Sequence, residues 1–350
     1  MYQILQNFTL QAGLETGLTY CIFLVFALLA GLFLLTKGGD ALSDHCSLLA
    51  KALGVPSVVV GLTIVSIATS APELFTSIAA IRSNAQGLIV GNIIGSNIAN
   101  IGLILGLVLM VKSVNTRDTI SRSQLTTLLL LTIVFCGFLF FNPDKNISLL
   151  PGLLLLGFIF VYLFNTTAKA LGKRMKERKE KKENKNIHVP AKVLMISVFF
   201  IFLSTAALWA GSDFLVFGGK NLAKMAGVPE ELIGFSILAI GTSLPELAAS
   251  ISLVKKSEHK MLLGNIVGSN LFNIGLVGGV AGILSPISSE TEFPWIDTKF
   301  PWIDYISLIF LTGLFCFWLK GRTLTKKDGF ILLACYLTST LFTWILNGNY

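Results

Sequence analysis

Long apolar runs separated by short polar stretches dominate the pattern of hydrophobic and polar positions along the chain. A bilayer core about 30 Å thick needs roughly 20 apolar residues per helix. Because the runs are uniformly apolar, they favour helices over the alternating strands of a membrane barrel. The pattern predicts an all-α polytopic membrane protein with ten transmembrane helices, near residues 14–36, 57–81, 87–111, 121–141, 147–168, 191–217, 230–254, 260–284, 303–320 and 327–346.

The composition agrees with this prediction. Of the 350 residues, 53% are hydrophobic and 13% are charged, and the mean hydropathy is +0.76. These values exclude a water-soluble globule and make the lipid bilayer the expected surroundings. The formal charge of +8 comes largely from one basic segment, residues 169–192. Membrane orientation explains that segment better than a nucleic-acid partner does.

Charged loops predict how the chain crosses the membrane. Lys and Arg collect in alternate loops, which are expected to face the cytoplasm, although Arg82, Lys220 and Lys224 lie on the other side. The prediction is a multi-pass protein of the cell membrane with both termini extracellular or periplasmic and with the basic segment cytoplasmic. Since the first 36 residues hold no Lys or Arg, we interpret the N-terminal run as an uncleaved span.

The two halves of the sequence match each other at a single offset of 173 residues, which carries Glu73 onto Glu246. Each half holds five predicted spans, an odd number, so the second half must enter the membrane from the opposite side. The halves are therefore predicted to be inverted five-helix repeats, whose matched sites meet near the midplane. The predicted divisions are 1–168 for the first repeat, 169–192 for the linker and 193–350 for the second repeat.

The matched stretches place one carboxylate directly after a proline in each half, at Pro72–Glu73 and Pro245–Glu246. A carboxylate within a span is costly and is usually functional. A proline within a span also leaves a carbonyl oxygen without its helical partner. That oxygen must face a cavity or an ion. The pairing predicts a cation site at both prolines.

Other oxygen donors surround the two carboxylates. They include hydroxyls one or two helical turns away and polar stripes on the following helices. Because no thiolate or imidazole accompanies them, the site is suited to Ca²⁺ or Na⁺ rather than to a soft metal. The stripes have an alternative interpretation as interhelical hydrogen bonds, and the neighbouring glycines as close helix packing. The donors are Ser66, Thr69, Ser70, Ser77, Thr242, Ser243, Ser250, Asn92, Ser96, Asn100, Asn265, Ser269 and Asn273, and the glycines are Gly91, Gly95, Gly264 and Gly268.

These motifs resemble the two alpha repeats of the cation/calcium exchanger superfamily, and of the prokaryotic sodium/calcium exchangers in particular. The resemblance is carried by 68–73, by 241–246 and by two Gly-Asn-Ile-x-Gly-Ser-Asn runs, at 91–97 and 264–270. It implies a core made of the second, third, seventh and eighth helices. The first and sixth helices would slide across that core.

The resemblance also implies a ligand set. The calcium ligands would be Glu73, Glu246 and the carbonyls of Thr69 and Thr242. The sodium ligands would be Ser70, Ser96, Ser243, Ser269 and the carbonyls of Ser66 and Ala239, with Asn100 and Asn273 at the centre. In some relatives an Asp stands at the position of Asn273, so this site has two formal negative charges. Ala68 stands where many relatives have Gly.

The sequence therefore predicts a secondary antiporter that exchanges Ca²⁺ for Na⁺ by alternating access, not an enzyme. No cofactor is expected apart from the transported ions, and a monomer is the working expectation. Coupling to H⁺ or K⁺ stays open as the nearest alternative, with the same fold. A passive channel and an intramembrane hydrolase are the alternatives from other classes.

Overall fold

The computed structural model describes residues 5, 17–82, 86–141, 147–180, 191–226, 241–284 and 302–347. Within these residues, seven helices are long and apolar enough to cross a membrane. Their outer faces are covered with large exposed hydrophobic side chains, as expected for helices in contact with lipid. The seven are Leu18–Leu53, Ser57–Ile78, Ile89–Val111, Arg122–Phe141, Leu149–Gly172, Ala191–Met225 and His259–Leu284.

The first half of the chain is a succession of helices, two of which contain a π-helical segment between α-helical ones. The long helix α1 is followed by a broken helix, which consists of α2, the π-helical segment π1, α3 and α4. The next helix again contains a π-helical segment, π2, between α5 and α6. The bounds are α1 Leu18–Leu53, α2 Ser57–Val60, π1 Gly61–Val65, α3 Ser66–Thr69, α4 Ala71–Arg82, α5 Gln86–Ala99, π2 Asn100–Ile104, α6 Leu105–Val111, α7 Arg122–Phe141 and α8 Leu149–Glu180.

The second half repeats these features where it is described. Helix α11 passes through the segment π3 into α12, as α5 passes through π2 into α6. Two short strands, β1 and β2, join the two halves as an antiparallel pair in which Val114 lies opposite Leu324. The bounds are α9 Ala191–Met225, α10 Leu244–Lys255, α11 His259–Phe272, π3 Asn273–Val277, α12 Gly278–Leu284, α13 Trp302–Trp318 and α14 Lys326–Asn347, with β1 Val114–Asn115 and β2 Thr323–Leu324.

Three helices extend beyond their predicted C-terminal ends, and one of them, α9, continues to Met225 rather than ending near residue 217. Helix α1 continues to Leu53, well past the predicted end near residue 36, because its last turns stay packed on the protein and keep buried residues such as Leu42 and Cys46. Helix α8 runs to Glu180. The first part of the basic segment, predicted as a solvated linker, is therefore helical, and residues 181–190 lie outside the described part of the chain.

Helices α1 and α9 pack against each other along most of their length. They approach so closely that a Cβ atom added to Gly31 would lie 2.7 Å from the backbone nitrogen of Leu215 and 2.8 Å from the carbonyl oxygen of Gly211. Such backbone contact is typical of small residues at helix interfaces in membranes. The α1–α9 pair packs against α10. There Gly39 lies against the carbonyl of Ala248, which a side chain at that position would displace. The hydrophobic core includes most of the buried side chains of α2–α6 and α10–α12, and the surrounding helices also contribute to it, for example through Leu128 and Leu308.

Candidate cation-binding site

The two prolines break their helices at matched serines. Ser70 separates α3 from α4 with φ −85° and ψ 5°, and Ser243 precedes α10 with φ −89° and ψ 4°. Both residues lie in the sparsely allowed region between helix and strand, in which residues of functional sites are often found. After each break the helix restarts in the same way, with backbone bonds from Leu74 to Ser70 of 3.3 Å and from Leu247 to Ser243 of 3.1 Å. Identical sequence patterns therefore give nearly identical backbone geometry in the two halves.

The helices that follow the breaks share a second irregularity. Asn100 begins π2 and Asn273 begins π3, at matched positions. Single π-helical turns inside α-helices are often found at functional sites. Both asparagines are almost fully buried, with exposed fractions of 2% and 0%. The polar stripes predicted on these helices thus face the interior of the protein.

Both carboxylates lie inside the protein. Glu73 is 1% exposed and Glu246 is 2% exposed. The Ser70 hydroxyl donates a hydrogen bond of 2.9 Å to Glu246 Oε1, so the break in the first half contacts the carboxylate of the second half. Within the described residues, the remaining Glu246 oxygen and both Glu73 oxygens have no hydrogen-bond partner. A buried carboxylate without partners is expensive, which favours a site that receives cations.

A set of crossed hydrogen bonds connects the two halves. Thr69 Oγ1 lies 3.4 Å from Asn265 Oδ1 and 3.5 Å from Ser269 Oγ. The matched residue in the second half, Thr242, donates to Asn92 Oδ1 at the same distance of 3.4 Å. Each threonine therefore reaches the asparagine of the other half. This crossing brings three of the predicted ligands, Thr69, Thr242 and Ser269, into contact with the opposite half.

Asn92 takes part in four hydrogen bonds with described residues of this cluster. Its amide nitrogen donates to the main-chain oxygen of Glu73 at 3.2 Å and to Ser77 Oγ at 3.1 Å. Its oxygen accepts from Ser96 at 3.4 Å, in addition to Thr242. Asn92 thereby ties α4, α5 and the second half together.

The carbonyl that Pro245 frees has a partner at a position where the two halves differ. Ser212 on α9 donates a hydrogen bond of 2.5 Å to the Gly241 oxygen. A buried carbonyl left without a donor would cost free energy. The corresponding position in the first half is Gly39, which has no hydroxyl. The second break is therefore held by α9, whereas the first has no equivalent donor at that position.

Comparison with known proteins agrees with this geometry. The sequence profile of the family described as "Sodium/calcium exchanger protein" matches residues 23–168 and 196–345. The chain belongs to the sodium/calcium exchanger family. The unmatched residues between the two ranges nearly coincide with the basic segment 169–192, so the family pattern covers the two halves and leaves out their connection.

Individual relatives match the exchanger chain over most of its length. It is 31% identical over 340 residues to the sodium/calcium exchanger MaX1 of Methanosarcina acetivorans, covering 89% of this chain and 95% of that protein. It is 33% identical over 324 residues to the inner membrane protein YrbG of Escherichia coli K12, covering 91% and 94%. Solved structures of the sodium-calcium exchanger NCX_Mj superpose with a TM-score of 0.75 at 27% identity, covering 91% of this chain and 98% of that one. The protein is thus an integral membrane exchanger with the fold of this family.

The predicted ligand residues of this exchanger can be located in the structure with one exception. Ser66 donates to the main-chain oxygens of Gly61 at 2.6 Å and of Asn265 at 3.2 Å. Ala239 lies outside the described residues. Nearly all of the others are buried side chains of the two breaks and of the two helices that follow, namely Glu73, Glu246, Thr69, Ser70, Ser243, Asn100, Asn273, Ser96 and Ser269, and Thr242 is half-buried.

Sequence reasoning missed the contacts that hold the site together. The spacing of Asn92 and Asn265 indicated polar stripes, but it could not show which helix each amide reaches. Ser212 gave no signal of its own, because a serine in an apolar helix is common. The freed Gly241 carbonyl was expected to face a cavity or an ion, but it accepts a hydrogen bond from the Ser212 hydroxyl instead.

Proposed function

We propose that the protein is a secondary antiporter that exchanges Ca²⁺ for Na⁺ across the membrane by alternating access. Both ions would compete for one site made by Glu73 and Glu246. The observation that carries this proposal is the buried link between Ser70 and Glu246, next to three carboxylate oxygens that have no partner in the described part of the chain. The names of the matched relatives, which include sodium/calcium exchangers, support the choice of ions.

The chemistry of the donors fits these ions. Carboxylate, hydroxyl, amide and carbonyl oxygens are the ligands of hard cations. The proposed calcium ligands are Glu73, Glu246 and the carbonyls of Thr69 and Thr242. For sodium we propose the carbonyls of Ser66 and Ala239, the hydroxyls of Ser70, Ser96, Ser243 and Ser269, and the central amides of Asn100 and Asn273.

The charge of the site limits what it can hold. One Ca²⁺ or two Na⁺ would neutralise its two carboxylates, whereas an empty site would retain a buried negative charge. Because an uncompensated buried charge is costly, the occupied site can change its access more easily than the empty one. Coupling between the ions then follows from their differing affinity for the two access states.

The arrangement in the membrane completes the proposal. We infer ten transmembrane helices in two inverted repeats, 1–168 and 193–350, joined by the cytoplasmic segment 169–192. Both termini would lie outside. The matched breaks at Ser70 and Ser243 and the matched segments π2 and π3 support the repeat. The loop charges support the orientation.

Ion flux in proteoliposomes tests the proposal. Vesicles loaded with Na⁺ should take up radioactive Ca²⁺ when diluted into Na⁺-free buffer, and uptake should disappear when the Na⁺ gradient is removed. The Glu73→Gln, Glu246→Gln double variant should lose this uptake while remaining folded by circular dichroism. Robust uptake by the double variant would refute the site assignment.

Replacing the ions separately distinguishes the nearest alternatives. Uptake driven by a pH gradient without Na⁺ would indicate H⁺ coupling. A requirement for K⁺ together with Na⁺ would indicate the activity named in relatives such as the sodium/potassium/calcium exchanger 2 of Gallus gallus, which matches only 43% of this chain. Either result would keep the exchanger fold and change the coupling ion.

A further inference from the structure

The amide side chain of Asn92 has both of its ends held in fixed directions. Its nitrogen donates to the main-chain oxygen of Glu73 at 3.2 Å and to Ser77 Oγ at 3.1 Å. Because a main-chain oxygen can only accept a hydrogen bond, the nitrogen must be the end that faces α4. The oxygen then faces the other way, where it accepts from Thr242 and from Ser96, each at 3.4 Å. The side chain therefore links the carboxylate-bearing helix of the first half to the break of the second half.

Thr242 lies where the backbone has lost its regular helical hydrogen bonds. It directly precedes Ser243, the residue of the break with φ −89° and ψ 4°, and Pro245 has no N–H to offer to the carbonyl of Gly241. The direction of a carbonyl at such a break is not fixed by a run of helical bonds, so it depends on other contacts. The Thr242 hydroxyl supplies one, because it donates to Asn92 Oδ1.

The break of the first half has the same kind of contact. Thr69 ends α3 directly before Ser70. Its hydroxyl donates to Asn265 Oδ1 at 3.4 Å, and Asn265 is the residue that the 173-residue offset matches with Asn92. Thr69 and Asn265 are 0% and 1% exposed, so this contact lies away from bulk water. In both cases a threonine at one break is held by an asparagine of the other half.

We propose that Asn92 and Asn265 are positioning residues of the calcium site, and that they act through the threonines of the opposite half. Asn92 fixes the Thr242 carbonyl relative to Glu73, whose main chain it also holds. Asn265 fixes the Thr69 carbonyl. This inference rests on the proposed function, in which the carbonyls of Thr69 and Thr242 are ligands of Ca²⁺ and not of Na⁺.

The physical reason is that a metal ligand is effective only when its direction is set. Residues that orient a ligand without touching the metal change metal affinity by about 10-fold to 100-fold when they are removed. The effect on Ca²⁺ should exceed the effect on Na⁺, because only Ca²⁺ is proposed to bind the threonine carbonyls. Since each carbonyl is held from the opposite half, a complete calcium site requires contact between the two halves.

Equilibrium binding of radioactive Ca²⁺ to the full-length protein in nanodiscs tests this role. Thr242→Val keeps the carbonyl and the shape of the side chain but removes the hydroxyl, so the Kd for Ca²⁺ should rise about 10-fold. Thr242→Ser restores the hydroxyl and should stay within about twofold of the unmodified protein. The Kd for Na⁺, obtained by competition with Ca²⁺, should change by less than about twofold in Thr242→Val. General damage to the site would weaken the binding of both ions.

A double-mutant cycle tests whether Asn92 and Thr242 act through one contact. Asn92→Ala should raise the Kd for Ca²⁺ by about 10-fold or more. Adding Thr242→Val to it should then have little further effect, because the shared contact is already lost. As the control, Thr132→Val removes a buried hydroxyl on α7 that donates to the Leu128 carbonyl of its own helix at 2.9 Å. This variant should leave the Kd of both ions unchanged.

Three results would each overturn the positioning role: unchanged Ca²⁺ affinity in Thr242→Val, equal losses for Ca²⁺ and Na⁺, or additive losses in the double variant. If the unmodified protein binds Ca²⁺, each of these results leaves the proposed function intact. Failure of the unmodified protein to bind Ca²⁺ would refute the proposed function and this inference with it. The two failures are therefore distinguished by the unmodified protein alone.

Discussion

The hydroxyl of Ser70 donates a hydrogen bond of 2.9 Å to the carboxylate of Glu246, 176 residues further along the chain. Ser70 belongs to the break of the first half, and Glu246 follows the break of the second. A bond between them makes the conformation of one half depend on the charge held by the other. An ion bound at Glu246, as proposed, would therefore act on both halves at once.

Substituting Ser70 should weaken the binding of Na⁺ more than the binding of Ca²⁺. Ser70→Ala removes a proposed sodium ligand but none of the proposed calcium ligands. The Na⁺ concentration that displaces half of the bound Ca²⁺ should rise about 10-fold, which corresponds to about 1.4 kcal/mol. Competition binding of radioactive Ca²⁺ to the purified protein measures this value. A loss of Ca²⁺ binding with unchanged Na⁺ competition would contradict the assignment.

Asn273 should set the number of sodium ions that the site accepts. With two carboxylates, Na⁺ should displace Ca²⁺ with a Hill coefficient of about two, since additional cations would leave an uncompensated buried charge. Asn273→Asp adds a third carboxylate at a fully buried position, and the coefficient should increase towards three. The same competition assay measures it. Asn273→Ser is the neutral control, and an equal increase in that variant would argue against a charge effect.

The hydrogen bond from Ser212 on α9 to the second break should contribute measurably to the free energy of unfolding. Ser212→Ala leaves the Gly241 carbonyl without its donor and should lower the free energy of unfolding by about 1–3 kcal/mol. Ser204 lies on the same helix, but its hydroxyl donates to Phe200 within that helix at 2.6 Å. Ser204→Ala is therefore the matched control and should cost less. Reversible unfolding in mixed detergent micelles followed by circular dichroism compares the two, and equal losses would speak against the role of Ser212.

Two contacts between α1 and the end of α10 should contribute very differently to the free energy of unfolding. Ser252, which is buried, donates to Asp40 Oδ1 at 2.7 Å. Lys256 pairs with Asp44 at 2.7 Å, but their side chains are 31% and 60% exposed. Ser252→Ala should lower the free energy of unfolding by about 1.5–3 kcal/mol, whereas Asp44→Ala should cost at most about 1 kcal/mol. The same unfolding measurement compares the two losses. A larger loss in Asp44→Ala than in Ser252→Ala would contradict the prediction.

Much of the fold and of the site could be predicted from the sequence because lipid imposes simple rules. Apolar length fixed where helices occur, and the seven qualifying helices lie within predicted runs or extend them. The rarity of buried carboxylates pointed to Glu73 and Glu246, which are both buried as expected. Family membership, shown by the matching profile, agrees with the motifs around those residues.

Features that depend on how the halves pack could not be predicted. The pattern marked Gly268 for close helix packing, but it could not show that its neighbours would be the Ser66 hydroxyl and the Leu62 carbonyl. Hydropathy also shows where an apolar run of residues ends, but the helix itself can continue beyond that point. For that reason the last turns of α1, which hold Asp40 and Asp44, were not predicted to be part of the first helix.

The glycine contact between α1 and α9 has a mechanical consequence. Where Gly31 meets Gly211, backbone touches backbone, and there is no intervening layer of side chains whose rotamers could absorb a displacement. Two long helices in such contact are expected to move together as one rigid body. Ser212 follows Gly211 directly and holds the Gly241 carbonyl, so a displacement of α1 would be passed through this contact to the start of the carboxylate-bearing helix α10.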